Sequence, residues 1–123
     1  MYTLDTNAII YYLKDDSAAV ALVRAALSDD LPVYVSAVTE AELFGFPSLT
    51  TQEATQIDAL LRTLAVIPLD SRLARAGGQI RRTYKLGIAD SVIAATAMFT
   101  GTTLVTRNVR DFRKIRHLSV AAI

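Results

Sequence analysis

The chain has 123 residues, 52% hydrophobic and 20% charged, with a formal net charge of +1. That size and apolar content suit one domain over 1–123 with a real core, and exclude a disordered or low-complexity chain. There is no cysteine, so disulfides and thiolate zinc sites are excluded too.

YTLDT (2–6) reads as a short buried strand that ends in capping residues, and AIIYYLK is the helix after it. SAAVALVRAALSDD (17–30) has apolar residues at helical spacing behind a serine cap. LPVYVSAV (31–38), β-branched and bounded by Pro32, is the second strand. TEAELFGF (39–46) begins a helix that Gly45, Phe46 and Pro47 stop. TTQEATQIDALLRTL (50–64) is an amphipathic helix capped by Thr50 or Thr51. AVIPLD (65–70) is a third strand, which Pro68 confines to an edge or a strand end. SRLARAGGQIRRTYKL (71–86) is helical, with Gly77-Gly78 marking a break or a close packing contact. GIADSVIAATAMFTG (87–101) is an alanine-rich helix and TTLVTRN (102–108) a fourth strand. VRDFRKI (109–115) is a short helix, and LSVAAI (118–123) is a candidate fifth strand.

This alternation specifies an α/β protein, a three-layer α/β/α sandwich around a mostly parallel sheet of four to five strands. No basic region followed by an apolar core opens the chain. The most apolar segment, IADSVIAATAMF, is too short for a membrane span and carries Asp90. A soluble, cytoplasmic protein is the expectation.

Charge is unevenly spread. Residues 1–71 hold three basic and ten acidic side chains, a net −7, whereas residues 72–123 hold ten basic and two acidic, a net +8. The basic residues cluster at Arg72, Arg75, Arg81, Arg82 and Lys85, and again at Arg107, Arg110, Arg113, Lys114 and Arg116. Such clusters suit phosphate backbones, although a charge run is more often a solvated helix face.

In a parallel sheet all strands end at one edge, where open α/β sheets bind their ligands. Topology brings Asp5, Glu42, Asp90 and the pair Asn108 and Asp111 to that edge from distant parts of the chain. Each has a plainer explanation. Asp5 or Asn7 can cap a helix, Thr39 and Glu42 match a capping box, Asp90 suits a helix dipole, and Asn108 with Asp111 is another cap-like pair. Four clustered carboxylates, however, repel one another unless a cation is present. An oxygen-only set suits Mg²⁺ or Mn²⁺, and the single His117 lies elsewhere in the chain, better placed as a loop or strand-edge residue than as a ligand.

LDTNAII, TEAELFG, ADSVIAATA and LVTRNVRDF, in that order, resemble the PIN-domain ribonucleases, and in compact length VapC, the toxin of VapBC toxin–antitoxin pairs. The match runs from residue 2 to about 115, with 46–86 matching only in helix pattern and length. The resemblance implies a metal-dependent endoribonuclease with Asp5 and Asp90 on Mg²⁺ or Mn²⁺, and Glu42 and Asp111 completing the acidic cluster. Glu42 rather than Glu40 matches the family's acid. Asn108 orients metal waters or a phosphate, and Thr6 and Thr106 supply hydroxyls. Arg107, Arg110 and the 72–85 cluster would hold the RNA backbone. A small VapB-like antitoxin would fill a groove drawn from Ile10, Tyr11, Tyr12, Leu13, Phe44 and Phe46, and a homodimer is usual in the family.

Three rivals carry less weight. A phosphoaspartate phosphatase needs a second Asp where this chain has Asn7, and a receiver domain needs paired acids ahead of its Asp. A non-catalytic RNA- or protein-binding module gains little from four mutually repelling acids. An antitoxin-independent PIN nuclease in RNA processing differs only in its partner.

Overall fold

The computed structural model describes residues 1–123. Its elements run β1 (Tyr2–Leu4), α1 (Thr6–Leu13), α2 (Ser17–Ser28), β2 (Val33–Ser36), α3 (Ala37–Phe44), α4 (Thr51–Leu61), β3 (Ala65–Ile67), α5 (Ser71–Tyr84), α6 (Ile88–Thr100), β4 (Thr103–Thr106), α7 (Val109–Phe112) and β5 (Ser119–Ala122). The strands form one sheet in the order β3-β2-β1-β4-β5, and every neighbouring pair is parallel. β1 lies in the centre, with Leu4 level with Val35 of β2 and Val105 of β4.

Both faces of the sheet are covered, as a parallel sheet requires. Leu4, Val33, Val35 and Val105 pack with Ile9, Val23, Leu43, Ile57 and Leu61 on one face. Leu104 packs with Leu73, Ile80, Ile93, Phe112 and Ile115 on the other. Neighbouring residues of one strand point to opposite sides, so Leu104 and Val105 enter different cores. Under α6, Thr3 and Thr102 share a buried 2.6 Å hydrogen bond, which satisfies hydroxyls that an apolar core would leave unpaired.

The predicted element order holds throughout, but several starts move. β1 stops at Leu4, and Asp5 is the N-cap of a helix that begins at Thr6, not Ala8. α2 is capped by Asp16, which accepts the Ala19 N–H, so Ser17 is its first helical residue rather than its cap. α3 starts at Ala37, capped by Ser36, and the expected box between Thr39 and Glu42 does not form. The chain turns helical as soon as β2 ends, because Ser36 supplies the capping oxygen three residues before Thr39 could. Glu42 therefore lies in the second turn, not the first. The box forms instead at α4, where Thr50 and Glu53 bond reciprocally.

α5 runs unbroken through Gly77 and Gly78. Gly77 is a contact point, since a Cβ there would stand 2.9 Å from Val92 Cγ2. β3 is an edge strand with Pro68 just beyond it, and β5 is the opposite edge. No helix is long and apolar enough to cross a membrane.

Candidate active site

From β1 the chain builds outward through β2 and β3, then returns to add β4 and β5 on the other side. The crevice at the strand ends between β1 and β4 is therefore the topological switch point. Asp5 sits there. Its backbone N–H donates to the Val105 carbonyl at 3.0 Å, which extends the β1–β4 ladder by one bond. Its Oδ1 accepts the Thr6 N–H at 2.8 Å, and its Oδ2 accepts the Thr106 hydroxyl at 2.7 Å. Only 3% of Asp5 is exposed. Asp5 thus caps α1 while holding a carboxylate at the switch point.

Asp5, Glu42 and Asp90 line one crevice of about 530 Å³, together with Thr6, Asn7, Ile10 and Phe46. Asp90 stands in the first turn of α6 and is not its cap, which is Gly87. Glu42, exposed on α3, accepts the Thr6 hydroxyl at 2.6 Å through Oε1. Thr6 Oγ1 is also 3.0 Å from buried Thr39 Oγ1. A hydroxyl has one proton to give, and the carboxylate is the stronger acceptor.

Asn108 and Asp111 are not among the residues lining the crevice. They sit beside it at the end of β4, where Asn108 Nδ2 donates to Asp111 Oδ2 at 3.1 Å. The Asn108 side chain caps nothing, and its N–H is held by Thr106 Oγ1 at 2.9 Å. The cap-like reading of this pair is replaced by a side-chain bond that aims Asp111.

The charges act on one another. Burial pushes the Asp5 carboxyl from its ordinary 3.8 up to about 6; the Thr106 bond opposes this, and the Asp90 and Glu42 charges add to it. Asp90 is also raised, first by burial, then by Glu42 and by Asp111. All four acids are therefore electrostatically linked through Asp90.

No three of the acidic side chains form a ready-made metal cage. The donor set still fits Mg²⁺ or Mn²⁺, because Mg²⁺ takes one or two carboxylates and fills the remaining positions with water and phosphate oxygens. Asp5 and Asp90 offer that number, raised carboxyls stand to gain from a neighbouring cation, and no nitrogen or sulfur ligand competes.

Residues 2–118 match the family model described as PIN domain. This chain belongs to the PIN-domain family. Within it, the chain is 32% identical to "Ribonuclease VapC10" of Mycobacterium tuberculosis, over 96% of this chain and 90% of that protein. Solved structures with the same fold include a toxin-antitoxin complex from Klebsiella pneumoniae (TM-score 0.82, 25% identity, 98% of this chain and 96% of that one). VapBC-1 from nontypeable Haemophilus influenzae superposes with a TM-score of 0.80 at 28% identity and the same coverage.

Some neighbours of this PIN domain's acids were not readable as such. Thr39 looked like a cap, yet it is a fully buried hydroxyl against Thr6, three residues before Glu42 and so on the same helix face. Arg107 has a structural commitment instead of a free guanidinium. Its Nη2 donates to Asp16 at 2.7 Å, its plane lies 3.8 Å from the Tyr11 ring, and its N–H donates to Asn7 Oδ1 at 3.2 Å. It straps β4 to α1 and α2. Ile10 and Phe46 also line a narrower apolar groove with Leu13, Leu43, Leu49 and Ile57. Of the other expected groove residues, Tyr12 faces a separate hollow, Tyr11 lies under Arg107, and Phe44 is exposed.

Proposed function

We propose that residues 1–123 act as one PIN domain, a divalent-metal-dependent endoribonuclease and the toxin of a type II toxin–antitoxin pair, hydrolysing RNA phosphodiesters in the cytoplasm to restrain translation and growth. The observation that carries this reading is the meeting of Asp5, Glu42 and Asp90 in one crevice at the switch point, with Asp111 coupled to Asp90. Helix capping does not call for three interacting carboxylates, two of them raised by burial and repulsion.

Asp5 and Asp90 are the residues to hold Mg²⁺ or Mn²⁺, which when bound polarises a phosphoryl oxygen and lowers the pKa of water. Thr106 and the Thr6 N–H fix both oxygens of Asp5 and leave each with acceptor capacity to spare. Glu42, steadied by Thr6 and exposed, is placed to accept a proton from an attacking water. Asp111, aimed by Asn108, closes the acidic cluster from the β4 side.

The partner reading rests on the apolar groove, which shares Ile10 and Phe46 with the acidic crevice. A peptide from a VapB-like antitoxin lying in that groove would reach the acids and shut the site. A homodimer is expected from the VapC kinship.

Purified, antitoxin-free protein should cut total bacterial RNA at discrete positions with Mg²⁺ or Mn²⁺ and not with EDTA. Asp90→Asn prepared in parallel should be silent. Equal activity in both proteins would refute the site, and no cleavage by a folded protein that also binds no metal would refute the nuclease.

A further inference from the structure

Another hollow, sharing no residue with the acidic crevice, lies between α5, α6 and the turn before β5. It measures about 630 Å³ and has no carboxylate in its lining. Arg72, Arg116 and His117 stand on its rim, and Tyr84 helps to wall it, its hydroxyl accepting the Arg116 N–H at 3.1 Å. The backbone of His117 is left-handed, at φ 66. The apolar floor ends in Phe99, 50% exposed, and Met98, 41% exposed. The Arg72 guanidinium lies 4.5 Å from the Phe99 ring centre, so an exposed aromatic is already bracketed by a planar cation.

The surroundings carry one sign of charge. Arg72, Arg75, Arg81, Arg82, Arg113 and Arg116 are all exposed, and none forms an ion pair with a carboxylate. A cationic hollow floored by an exposed ring is the arrangement that takes single-stranded nucleic acid, with bases stacked on aromatic or guanidinium planes and phosphates on the rim. A second copy of the same face would set arginine against arginine, which disfavours a symmetric dimer here.

We propose that the α5–α6 hollow is an RNA exosite, in which a base stacks on Phe99 beside Arg72 and the flanking phosphates lie on Arg116 and the arginines of α5. Phe99 is nine residues from Asp90 along α6, about 13 Å of axial rise and half a turn round the helix, so an RNA held at Phe99 reaches the acids only by passing round α6. The exosite rests on the ribonuclease reading for its biological sense, but its binding chemistry does not.

The test uses a fluorescein-labelled 20-nucleotide single-stranded RNA of mixed sequence and full-length protein carrying Asp90→Asn, so that the probe survives. Fluorescence anisotropy should show Phe99→Ala weakening binding about tenfold. Arg72→Ala with Arg116→Ala should lower the slope of log affinity against log salt by about 1.4, two phosphate contacts at 0.7 each. Circular dichroism melting should show both variants folded. With the nuclease-competent chain, Phe99→Ala should raise KM for a long RNA and spare kcat. Unchanged binding and an unchanged slope in both variants would overturn the exosite. So would variants that bind RNA normally but change the sedimentation of the chain, or lose an antitoxin peptide, since the hollow would then be a protein interface. RNA binding that needs Phe99 in a folded wild-type chain that cuts nothing and binds no metal would uphold the exosite and sink the nuclease.

Discussion

Thr106 and Asp5 lie 101 positions apart and meet in a 2.7 Å hydrogen bond, hydroxyl to carboxylate, that joins the ends of β4 and β1. The same hydroxyl oxygen accepts the Asn108 N–H. One small side chain thereby sets the position of the buried acid and the turn that carries Asn108 and Asp111.

Thr106→Val keeps the shape and removes both bonds. It should cost about 1–3 kcal/mol, because Oδ2 of Asp5 and the Asn108 N–H are left unpaired. The Asp5 carboxyl should rise further above 6, having lost the donor that favours its ionised form. Thr106→Ser should lose much less. Urea denaturation and NMR titration of the Asp5 carboxyl read the two effects.

The raised Asp5 makes a pH prediction for the metal-free protein. Its folded pKa of about 6 exceeds the ordinary 3.8, so the folded state holds the proton longer than the unfolded chain. The Asp5 contribution to stability is complete below pH 4, declines between about 4 and 6, and above that is a constant penalty of up to about 3 kcal/mol. Asp5→Asn should therefore be more stable than wild type at pH 8, with the gain vanishing near pH 4. The carboxyls of Asp16 and Glu53, both lowered, slope the opposite way in both proteins and cancel in the comparison. Mg²⁺ should raise the melting temperature of the wild type and leave Asp5→Asn where it is.

The two adjacent glycines of α5 should respond in opposite directions. Gly77→Ala places a methyl 2.9 Å from Val92 Cγ2 and should cost about 1–3 kcal/mol. Gly78→Ala meets nothing within 4 Å and should stabilise by about 0.5–1 kcal/mol through helix propensity. Thermal melts of the two variants decide it.

Arg107→Ala tests the strap. Losing a solvent-screened ion pair and one cation–π contact should lower the melting temperature only slightly. The salt slope of RNA binding should stay unchanged, since the guanidinium is already spent on Asp16 and Tyr11.

The sequence carried the fold well because its strands are short, β-branched and separated by amphipathic helices, so Leu4, Val35 and Leu104 could be placed in the sheet without coordinates. It also carried Asp5, Glu42 and Asp90 to one edge, since topology alone decides which end of a helix meets that edge. It failed where two local motifs competed. Ser36 and Thr39 are both good caps, and only the end of β2 decides between them. Arg107 could not be assigned from pattern, because Asp16 lies 91 positions away and nothing local links the two. Sequence likewise gave the basic stretch at 72–85 but not the exposed Phe99 beside Arg72, which depends on how α5 packs against α6.

The central strand β1 takes one neighbour, β2, from some thirty residues later and the other, β4, from near residue 105. During synthesis at 5–20 residues per second, about 5 to 20 s pass between Asp5 and Thr106. Through that interval the first acid has neither the hydroxyl that positions it nor the β4 carbonyl that holds its backbone. The first acid of the site thus takes its place only once β4 has left the ribosome.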